Sequence, residues 1–271
     1  MPKRIVFLGA GNMASAIIKS LNDVDICIYD KNKNAYDKFN EIKDINIKYA
    51  NTAGEAIEYS DYIILAFKPQ NMEESLTGLY NEAGNPCKYK SKLFISIVAG
   101  ITIKRICELL KTEAAVIRTI PNTPMMVGKG VIAVTKNNLV NDADFEFVCD
   151  IFKKTCEIIT VPEEHINPIT SVTSSAPAYV YLFIKAIYES ALEQGLNYEN
   201  MLSIICNMVV GSAEMLLKTG MLPDDMIKMV ASPNGTTEAA LKVFYENNFN
   251  DIIKKAMINC TRRAIELSEI N

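Results

Sequence analysis

Two glycines and an alanine with the spacing of a nucleotide-binding turn lie near the start of the chain, as Gly9-x-Gly11-x-x-Ala14. The turn follows the apolar run 5–8 and precedes a helix-forming segment. In such a strand–turn–helix unit the first glycine permits the tight turn, the second lets a pyrophosphate approach the backbone, and the third position needs a small side chain. Free N–H groups and the dipole at the helix start favour an anion. The predicted cofactor-binding residues of this turn are Gly9, Ala10, Gly11, Asn12, Met13 and Ala14.

An acidic residue closes the second predicted strand, where the adenosine ribose of a bound dinucleotide would lie. Asp30 ends the segment "CIYD", 21 residues after Gly9. A carboxylate here accepts hydrogen bonds from the ribose of NAD and repels the 2′-phosphate of NADP. Lys31 and Lys33 follow and could recover part of that repulsion. We therefore predict NAD(P)H as the cofactor, with NADH slightly favoured, and assign Asp30 and Lys31 to its site; the alternative is a solvated turn.

Two further turns that open helices could bind a small anion. The segment "ASPNGTTEAAL" at 231–241 offers backbone N–H groups and the hydroxyls of Ser232, Thr236 and Thr237, a combination that suits a carboxylate. The segment "SVTSSAPAYVY" at 171–181 is a small polar turn before a long helix. Each of the two is equally compatible with a capped helix that has only a structural role.

Metal and histidine chemistry have little support in the sequence. The chain has one histidine, His165, and seven cysteines, none of which forms a C-x-x-C pair. An odd number of cysteines fits reduced thiols, and most of them sit in apolar stretches as small core residues. We predict no metal site, a structural role for His165 and a cytoplasmic location.

Composition predicts a soluble chain with a small-molecule ligand. The 271 residues are 49% hydrophobic and 22% charged, enough for two domains. A net charge of −4 and a pI near 5.3 do not indicate the basic surface that binds nucleic acid or an anionic membrane. No uninterrupted apolar run approaches the roughly 18 residues that cross a bilayer. We expect neither nucleic acid nor membrane as a partner.

The elements that must position these turns fall into two groups. Seven short apolar runs alternate with helical patterns, at 4–8, 25–30, 62–67, 93–98, 114–120, 130–135 and 157–161. Strands this apolar are typical of a parallel sheet covered by helices on both faces. Helical patterns without a convincing strand follow, at 165–173, 176–194, 198–218, 223–230, 236–247 and 249–268. We predict an α/β fold, with a Rossmann-type domain over 1–162 and an all-helical domain over 163–271.

Six segments in order along the chain together resemble the Δ1-pyrroline-5-carboxylate reductase family. They are "GAGNMA" at 9–14, "AFKP" at 66–69, "VAGI" at 98–101, "PNTP" at 121–124, "SAPAY" at 175–179 and "SPNGTT" at 232–237. The resemblance covers nearly the whole chain, and the last segment is the most specific. It implies NAD(P)H-dependent hydride transfer to the cyclic imine L-1-pyrroline-5-carboxylate, giving L-proline in the last step of proline biosynthesis.

The resemblance also implies roles for individual residues. Further cofactor-binding residues would be Ala66, Phe67, Lys68, Pro69, Val98, Ala99, Gly100 and Pro177. Substrate-binding residues would be Ser232, Gly235, Thr236 and Thr237, at an active site between the cofactor and the 232–237 turn. The catalytic residues would be Thr237, whose hydroxyl would bond the ring nitrogen, and Ser175, which would border the nicotinamide. The helical domain would form a homodimer, and rings of dimers such as decamers are common in such enzymes.

Two departures from the family pattern bear on turnover. Ser174 stands where glycine is usual, and would be strained if that position needs a positive φ. Asn234 replaces another glycine, and asparagine tolerates the left-handed region. Two alternatives remain open. One is a related dehydrogenase or imine reductase of another substrate, although Lys185 has no catalytic-lysine motif around it. The other is a non-catalytic nucleotide-binding paralogue, which Ser174 favours.

Overall fold

The computed structural model describes residues 3–40, 42, 45–83 and 89–270, so Cys87 lies outside the described residues. The strands are β1 Lys3–Leu8, β2 Val24–Tyr29, β3 Ile47–Tyr49, β4 Tyr62–Leu65, β5 Leu93–Ser96, β6 Ala115–Ile120, β7 Gly130–Lys136 and β8 Cys156–Thr160. The helices of the first part are α1 Asn12–Ser20, α2 Ala53–Tyr59, α3 Met72–Ala83, α4 Ile103–Leu110 and α5 Asp142–Lys153. The later helices are α6 Ile166–Val172, α7 Ala176–Glu193, α8 Met201–Thr219, α9 Pro223–Val230, α10 Thr236–Glu246 and α11 Phe249–Ile270. Short 3₁₀ helices cover Lys33–Phe39, Pro69–Asn71, Thr123–Val127 and Glu163–His165.

All eight strands form one sheet in the order β3-β2-β1-β4-β5-β6-β7-β8. Strands β1 to β6 are parallel, and Phe7 of β1 lies opposite Ile28 of β2 and Ile64 of β4. Strand β7 runs antiparallel to β6, and β8 is parallel to β7. The parallel pairing that the apolar strands indicate is therefore confirmed except between β6 and β7. Only residues 121–129 join β6 to β7, and a parallel crossover needs a dozen residues or more.

The apolar strands are covered on both faces, as their composition predicts. Ile5 and Phe7 of β1 belong to one core cluster, and Val6 and Leu8 belong to the cluster on the opposite face. Helices α1 and α5 pack on the first face, and α2, α3 and α4 on the second. Burying one such side chain stabilises the fold by about 1.5–3 kcal/mol. The carboxyl end of β1, where the glycine turn begins, is thus anchored on both sides.

Some local predictions of the first part are wrong or incomplete. Strand β3 and helix α2 were not predicted. The helical pattern predicted after the strand at 25–30 is a 3₁₀ helix that covers Lys33–Phe39. Asn32 caps it, since its side-chain oxygen accepts a hydrogen bond from the N–H of Asn34 at 3.2 Å.

The C-terminal helices begin and end within three residues of their predicted bounds. Gly195 and Gly220 follow α7 and α8 with φ of +83° and +66°, the left-handed conformation that commonly ends a helix. Pro223 occupies the first turn of α9, where its missing N–H costs nothing. The all-helical character of this part of the chain is confirmed.

The chain divides into two compact units by packing. One unit contains the chain up to Ser175 and from Cys260 on, and the other contains Ala176–Asn259. Helix α6 belongs to the sheet unit because Ile166 is buried against Ile120 and Ala133. The compact helical unit is therefore smaller than the predicted 163–271 domain. The division at residue 162 is a change in composition and stays a prediction.

Helix α8 is long, apolar and mostly exposed in the single chain. It is 19 residues long, 11% of its most apolar window is buried, and by length and composition it could cross a bilayer. Its sequence is not an uninterrupted apolar run, because Asn207, Ser212 and Glu214 lie within it. A core helix of a soluble protein has the same length and composition.

Candidate functional site

The turn after β1 has the geometry that its glycines predict. Gly9 has φ of +108°, and its N–H donates to the carbonyl oxygen of Tyr29 at 2.8 Å. A Cβ on Gly9 would lie 2.6 Å from the carbonyl oxygen of Ala66, so no larger residue fits. Gly11 is the N-cap of α1 and makes no side-chain cap, and a Cβ there would meet only Ala66 oxygen, at 3.9 Å. Gly11 thus leaves space in front of the free N–H groups of α1, as a phosphate site requires.

A cavity of about 640 Å³ opens beside this turn. Seven of the predicted cofactor-binding residues line it: Gly9, Gly11, Asp30, Lys31, Ala66, Phe67 and Lys68. The other lining residues are Leu8, Tyr29, Ala53, Asn71, Glu74, Ser75, Thr77, Gly78 and Leu79. The cavity therefore lies at the carboxyl ends of β1, β2 and β4, where open α/β sheets bind their ligands.

The Asp30 carboxylate holds the glycine turn. One of its oxygens accepts a hydrogen bond from the N–H of Ala10 at 2.7 Å, and the other accepts from the N–H of Asn32 at 2.8 Å. Asp30 is half-buried and lines the cavity, so lone pairs of the same oxygens remain for a ligand. The carboxylate thus has a structural role in the turn, and its role in cofactor binding stays a prediction.

The two lysines after Asp30 are each paired within the chain. Lys31 Nζ donates to Glu74 Oε1 of α3 at 2.6 Å. Lys33 Nζ donates to the Tyr36 hydroxyl at 3.0 Å and lies 5.0 Å from the centre of the Tyr29 ring. Only Lys31 of these two lines the cavity.

Several predicted cofactor residues lie beside the cavity without lining it: Ala10, Asn12, Met13, Ala14 and Pro69. Ala10 and Ala14 are buried in the core, so their small side chains serve packing. The Ala10 N–H is bonded to Asp30 and is thus already used. Asn12 is exposed at the start of α1, Met13 packs on the core, and Pro69 begins a 3₁₀ helix.

The loop after β5 also does not line the cavity. It was predicted to contact the cofactor through Val98, Ala99 and Gly100. Val98 is buried, Ala99 is exposed, and Gly100 has φ of +73°. A Cβ on Gly100 would come 2.9 Å from the Cβ of Leu267 in α11. The last turns of α11 therefore pack directly on this loop.

A buried arginine, Arg118, forms a hydrogen-bond network with the elements that follow this loop. Arg118 of β6 is 1% exposed, and its guanidinium donates to Glu163 Oε1 at 3.1 Å and to Asn167 Oδ1 at 3.0 Å. Glu163 Oε1 also accepts from the N–H of Ile103, at the start of α4. Asn167 bonds Ser268 of α11. The network joins β6, α4, α6 and α11, and sequence reasoning missed it because one arginine in an apolar run carries no partner signal.

The turn before α7 is unstrained despite its serine. Ser174 does not have a positive φ, and its hydroxyl donates to the carbonyl oxygen of Pro121 at 2.6 Å. Asn122 donates to the carbonyl oxygen of Thr173 at 3.1 Å. The strain that favoured a non-catalytic paralogue is therefore absent. The hydroxyl of Ser175 accepts a hydrogen bond from the Cys260 thiol at 3.2 Å, and Pro177 is the second residue of α7.

The turn before α10 has the predicted left-handed residue. Gly235 N–H donates to the carbonyl oxygen of Ser232 at 3.0 Å, and Asn234 has φ of +58°. A Cβ on Gly235 would lie 2.9 Å from the backbone carbonyl oxygen of Ser232, so a larger residue would force this turn to shift. Gly235 is the N-cap and makes no side-chain cap, which leaves the N–H groups of Thr236 and Thr237 without helical partners. The Gly235 N–H, expected to hold a carboxylate, is instead used within the turn.

The remaining candidate residues have surface or structural positions. His165 is exposed at the end of a 3₁₀ helix. Lys185 is exposed and pairs with Glu189 at 3.6 Å, as expected of a surface lysine. Within the described part of the chain, no group of three or more histidine, cysteine or acidic side chains could hold a metal, and the six described cysteines are free.

Comparison with known proteins assigns both parts of the chain. A family model described as pyrroline-5-carboxylate reductase dimerisation matches residues 163–267, and one described as NADP oxidoreductase, coenzyme F420-dependent, matches residues 4–100. The pyrroline-5-carboxylate reductase of Escherichia coli (strain K12) is 34% identical, over 99% of this chain and 100% of that protein. Pyrroline-5-carboxylate reductase 2 of Bacillus subtilis (strain 168) is 30% identical, over 98% and 96%.

Solved structures agree over the same length. The Plasmodium falciparum pyrroline carboxylate reductase, crystallised with NADP bound, has a TM-score of 0.86 and 26% identity, with 98% of each chain covered. The Streptococcus pyogenes 1-pyrroline-5-carboxylate reductase has a TM-score of 0.88 and 26% identity, with 97% of this chain and 98% of that chain covered. The chain therefore belongs to the pyrroline-5-carboxylate reductase family.

Proposed function

We propose that the chain reduces L-1-pyrroline-5-carboxylate to L-proline with NAD(P)H, the last step of proline biosynthesis. The observation that carries the proposal is identity of 34% along the full length to a reductase of this name. The cavity beside Gly9 and Gly11 supports it, because it offers a dinucleotide an open backbone and a free helix start. This reaction needs no acid–base dyad, since a protonated cyclic imine already carries its proton.

The residues around the cavity fit a dinucleotide. Gly11, without a side chain in front of α1, leaves the N–H groups of that helix to a pyrophosphate. Asp30 accepts from ribose hydroxyls, and Lys68 offers a positive charge at the carboxyl end of β4. When bound, the reduced nicotinamide supplies the hydride for the imine carbon. The chain itself would position the nicotinamide and the imine and exclude water from the reacting atoms.

The substrate is proposed to bind at the start of α10. Its carboxylate would accept hydrogen bonds from the N–H groups of Thr236 and Thr237, with the Ser232 hydroxyl beside them. The Thr237 hydroxyl would bond the ring nitrogen and so orient the C=N bond. Gly235 keeps the turn tight. Ser175 and Pro177 would border the nicotinamide, and Ser175 is proposed as the second catalytic residue.

The preferred cofactor is proposed to be NADH. The carboxylate of Asp30 lines the cavity, held by two backbone N–H groups, and cannot swing away without losing both. A 2′-phosphate of nearly two negative charges beside it is repelled. We expect kcat/KM to favour NADH over NADPH by about five- to thirtyfold.

The helical unit is proposed to associate with a second copy of the chain. Large apolar side chains on α7 and α8 are exposed in the single chain, among them Leu182 at 67%, Val210 at 55% and Leu217 at 82%. Exposed apolar surface on this scale marks an interface. The matched family model describes dimerisation and spans these helices. We propose a dimer that assembles further into a decamer, in the cytoplasm, and a monodisperse monomer near 30.1 kDa by light scattering would contradict it.

An assay of NADH and NADPH oxidation with L-1-pyrroline-5-carboxylate tests the activity. We expect turnover that depends on both the imine and the cofactor, with proline as product. Binding of the cofactor without turnover would instead support the non-catalytic paralogue. The reverse reaction, proline-dependent reduction of NAD⁺ at alkaline pH, gives an independent check.

A further inference from the structure

Four charged side chains line the cavity beside the glycine turn: Asp30, Lys31, Lys68 and Glu74. Asp30, Lys31 and Lys68 have positions that a nucleotide-binding site explains. The position of Glu74 is not explained in this way, because it lies on α3, more than 40 residues after the turn. A second carboxylate is also unfavourable in a cavity that binds an anionic ligand. Its presence there needs another reason.

Glu74 pairs with the lysine next to Asp30. Lys31 Nζ lies 2.6 Å from Glu74 Oε1, the geometry of a charge-assisted hydrogen bond. This bond holds the pKa of the Glu74 carboxyl below its ordinary value, so the carboxylate is ionised at neutral pH. Both side chains are more than half exposed, so a ligand can reach them.

Lys31 is the cation best placed to meet a 2′-phosphate. It directly follows Asp30, at the end of β2, where dinucleotide-binding sheets meet the adenosine ribose. Lys33 is engaged away from the cavity, since its Nζ donates to the Tyr36 hydroxyl at 3.0 Å and to the Ala50 carbonyl oxygen at 3.4 Å. Of the two lysines that follow Asp30, Lys31 is therefore the one that can contribute to discrimination between the two cofactors.

We propose that Glu74 is a specificity-determining residue that disfavours NADPH, because its carboxylate occupies the Lys31 ammonium that a 2′-phosphate would otherwise bind. The proposal rests on the proposed dinucleotide site and adds a second residue to Asp30. A 2′-phosphate must either displace Glu74 from Lys31 or lie beside the neutralised pair. The ribose hydroxyl of NADH is uncharged, so it neither has to displace Glu74 nor is repelled by its carboxylate.

The test compares dissociation constants of NADH and NADPH, measured by titration calorimetry at low ionic strength. Glu74→Gln removes the charge and keeps the length of the side chain. Glu73→Gln is a matched control on the same turn of α3: its side chain is 75% exposed against 74% for Glu74, and it pairs with Arg105 at 3.7 Å, away from the cavity. Glu74→Gln should tighten NADPH binding about two- to fivefold, the range of an exposed ion pair, and leave NADH within about 1.5-fold.

A second comparison asks whether the effect passes through Lys31. In a Lys31→Gln background, Glu74→Gln should change the ratio of the two dissociation constants by less than it does alone. Raising the salt to about 1 M should remove most of the effect, because exposed charges are then screened.

The inference is overturned if Glu74→Gln changes the ratio no more than Glu73→Gln, or if its full effect persists without Lys31. Binding of NADH by the wild type is a separate outcome. If the wild type binds neither cofactor, the proposed function itself fails and this inference fails with it. If the wild type binds NADH and the ratio is insensitive to Glu74, only the inference fails.

Discussion

Gly9 and Gly11 are two residues apart, and we expect their replacement by alanine to fail in different ways. At Gly9 the added Cβ would lie 2.6 Å from the Ala66 oxygen and 2.9 Å from the Phe67 nitrogen, both backbone atoms. The residue also has φ of +108°, which a side chain strains. Strain of about 1–3 kcal/mol and overpacking of about 1–3 kcal/mol together predict a loss of roughly 2–6 kcal/mol in the free energy of unfolding.

At Gly11 the same methyl group costs the fold almost nothing. Its φ of −73° and ψ of −178° suit alanine, and the nearest neighbour of the added Cβ would be 3.9 Å away. The methyl group would instead stand in front of the free N–H groups of α1. We expect NADH binding to weaken at least tenfold, about 1.4 kcal/mol or more, while the unfolding midpoint stays within about 1 °C.

The two variants are compared by chemical denaturation without ligand and by NADH titration. Gly11→Ala should keep wild-type stability and lose affinity, whereas Gly9→Ala should lose stability first. If Gly11→Ala bound NADH as tightly as the wild type, the pyrophosphate would not approach the backbone at this residue. Equal destabilisation by both variants would refute the packing argument.

Four further outcomes are expected. Thr237→Ala should lower kcat/KM about ten- to a thousandfold, about 1.4–4 kcal/mol, with the NADH dissociation constant unchanged; wild-type kinetics would remove its hydroxyl from the mechanism. Asp30→Ser should raise the ratio of kcat/KM for NADPH over NADH at least fivefold, and should weaken both cofactors because the Ala10 N–H loses its acceptor; an unchanged ratio would show that Asp30 does not contact the ribose. Gly78→Ala should stabilise α3 by about 0.5–1 kcal/mol, since a Cβ there meets nothing within 4 Å, yet weaken NADH binding because it narrows the cavity; a variant with tighter NADH binding would contradict this. Arg118→Met should lower the free energy of unfolding by about 1.5–3 kcal/mol, because Glu163, which is still bonded to the Ile103 N–H, loses its guanidinium donor; adding Glu163→Gln should restore part of that loss, and equal stability of wild type and Arg118→Met would refute the network.

Hydrophobic periodicity, with Gly and Pro as break signals, predicts the C-terminal helices of this chain well, although it missed α2. The bounds of α9 were predicted to the residue, because Pro223 opens the helix. Strand β3 was missed because it has only three residues, of which Lys48 and Tyr49 are exposed, so it carries no apolar run. The direction of β7 is not encoded in its composition. It follows from the nine-residue connection 121–129, which is too short for a parallel crossover, and the length alone would have predicted it.

Without the family resemblance, which also supplied Ala66, Phe67 and Lys68, the candidate cofactor site was predictable only where its residues are neighbours in sequence. The glycine turn and Asp30 follow from spacing within one strand–helix–strand unit. That Asp30 also holds the turn by bonding the Ala10 N–H could not be inferred, because spacing says where a carboxylate lies and not which backbone group it meets. Glu74 and Gly78 line the same cavity from α3, and their helical segment gives no sign of a ligand-facing side.

The same limit explains why the sequence predicts the reaction better than the cofactor. The reaction depends on segments that recur as whole motifs, such as the turn that Asn234 and Gly235 close, and each motif brings its own geometry. Cofactor choice depends on the sum of single charges around Lys31, contributed by elements that meet only in the folded chain. Exchanging one such charge leaves fold and motifs intact, because exposed ion pairs contribute under about 1 kcal/mol each. Cofactor preference can therefore change between relatives that share every motif, and it has to be argued from contacts.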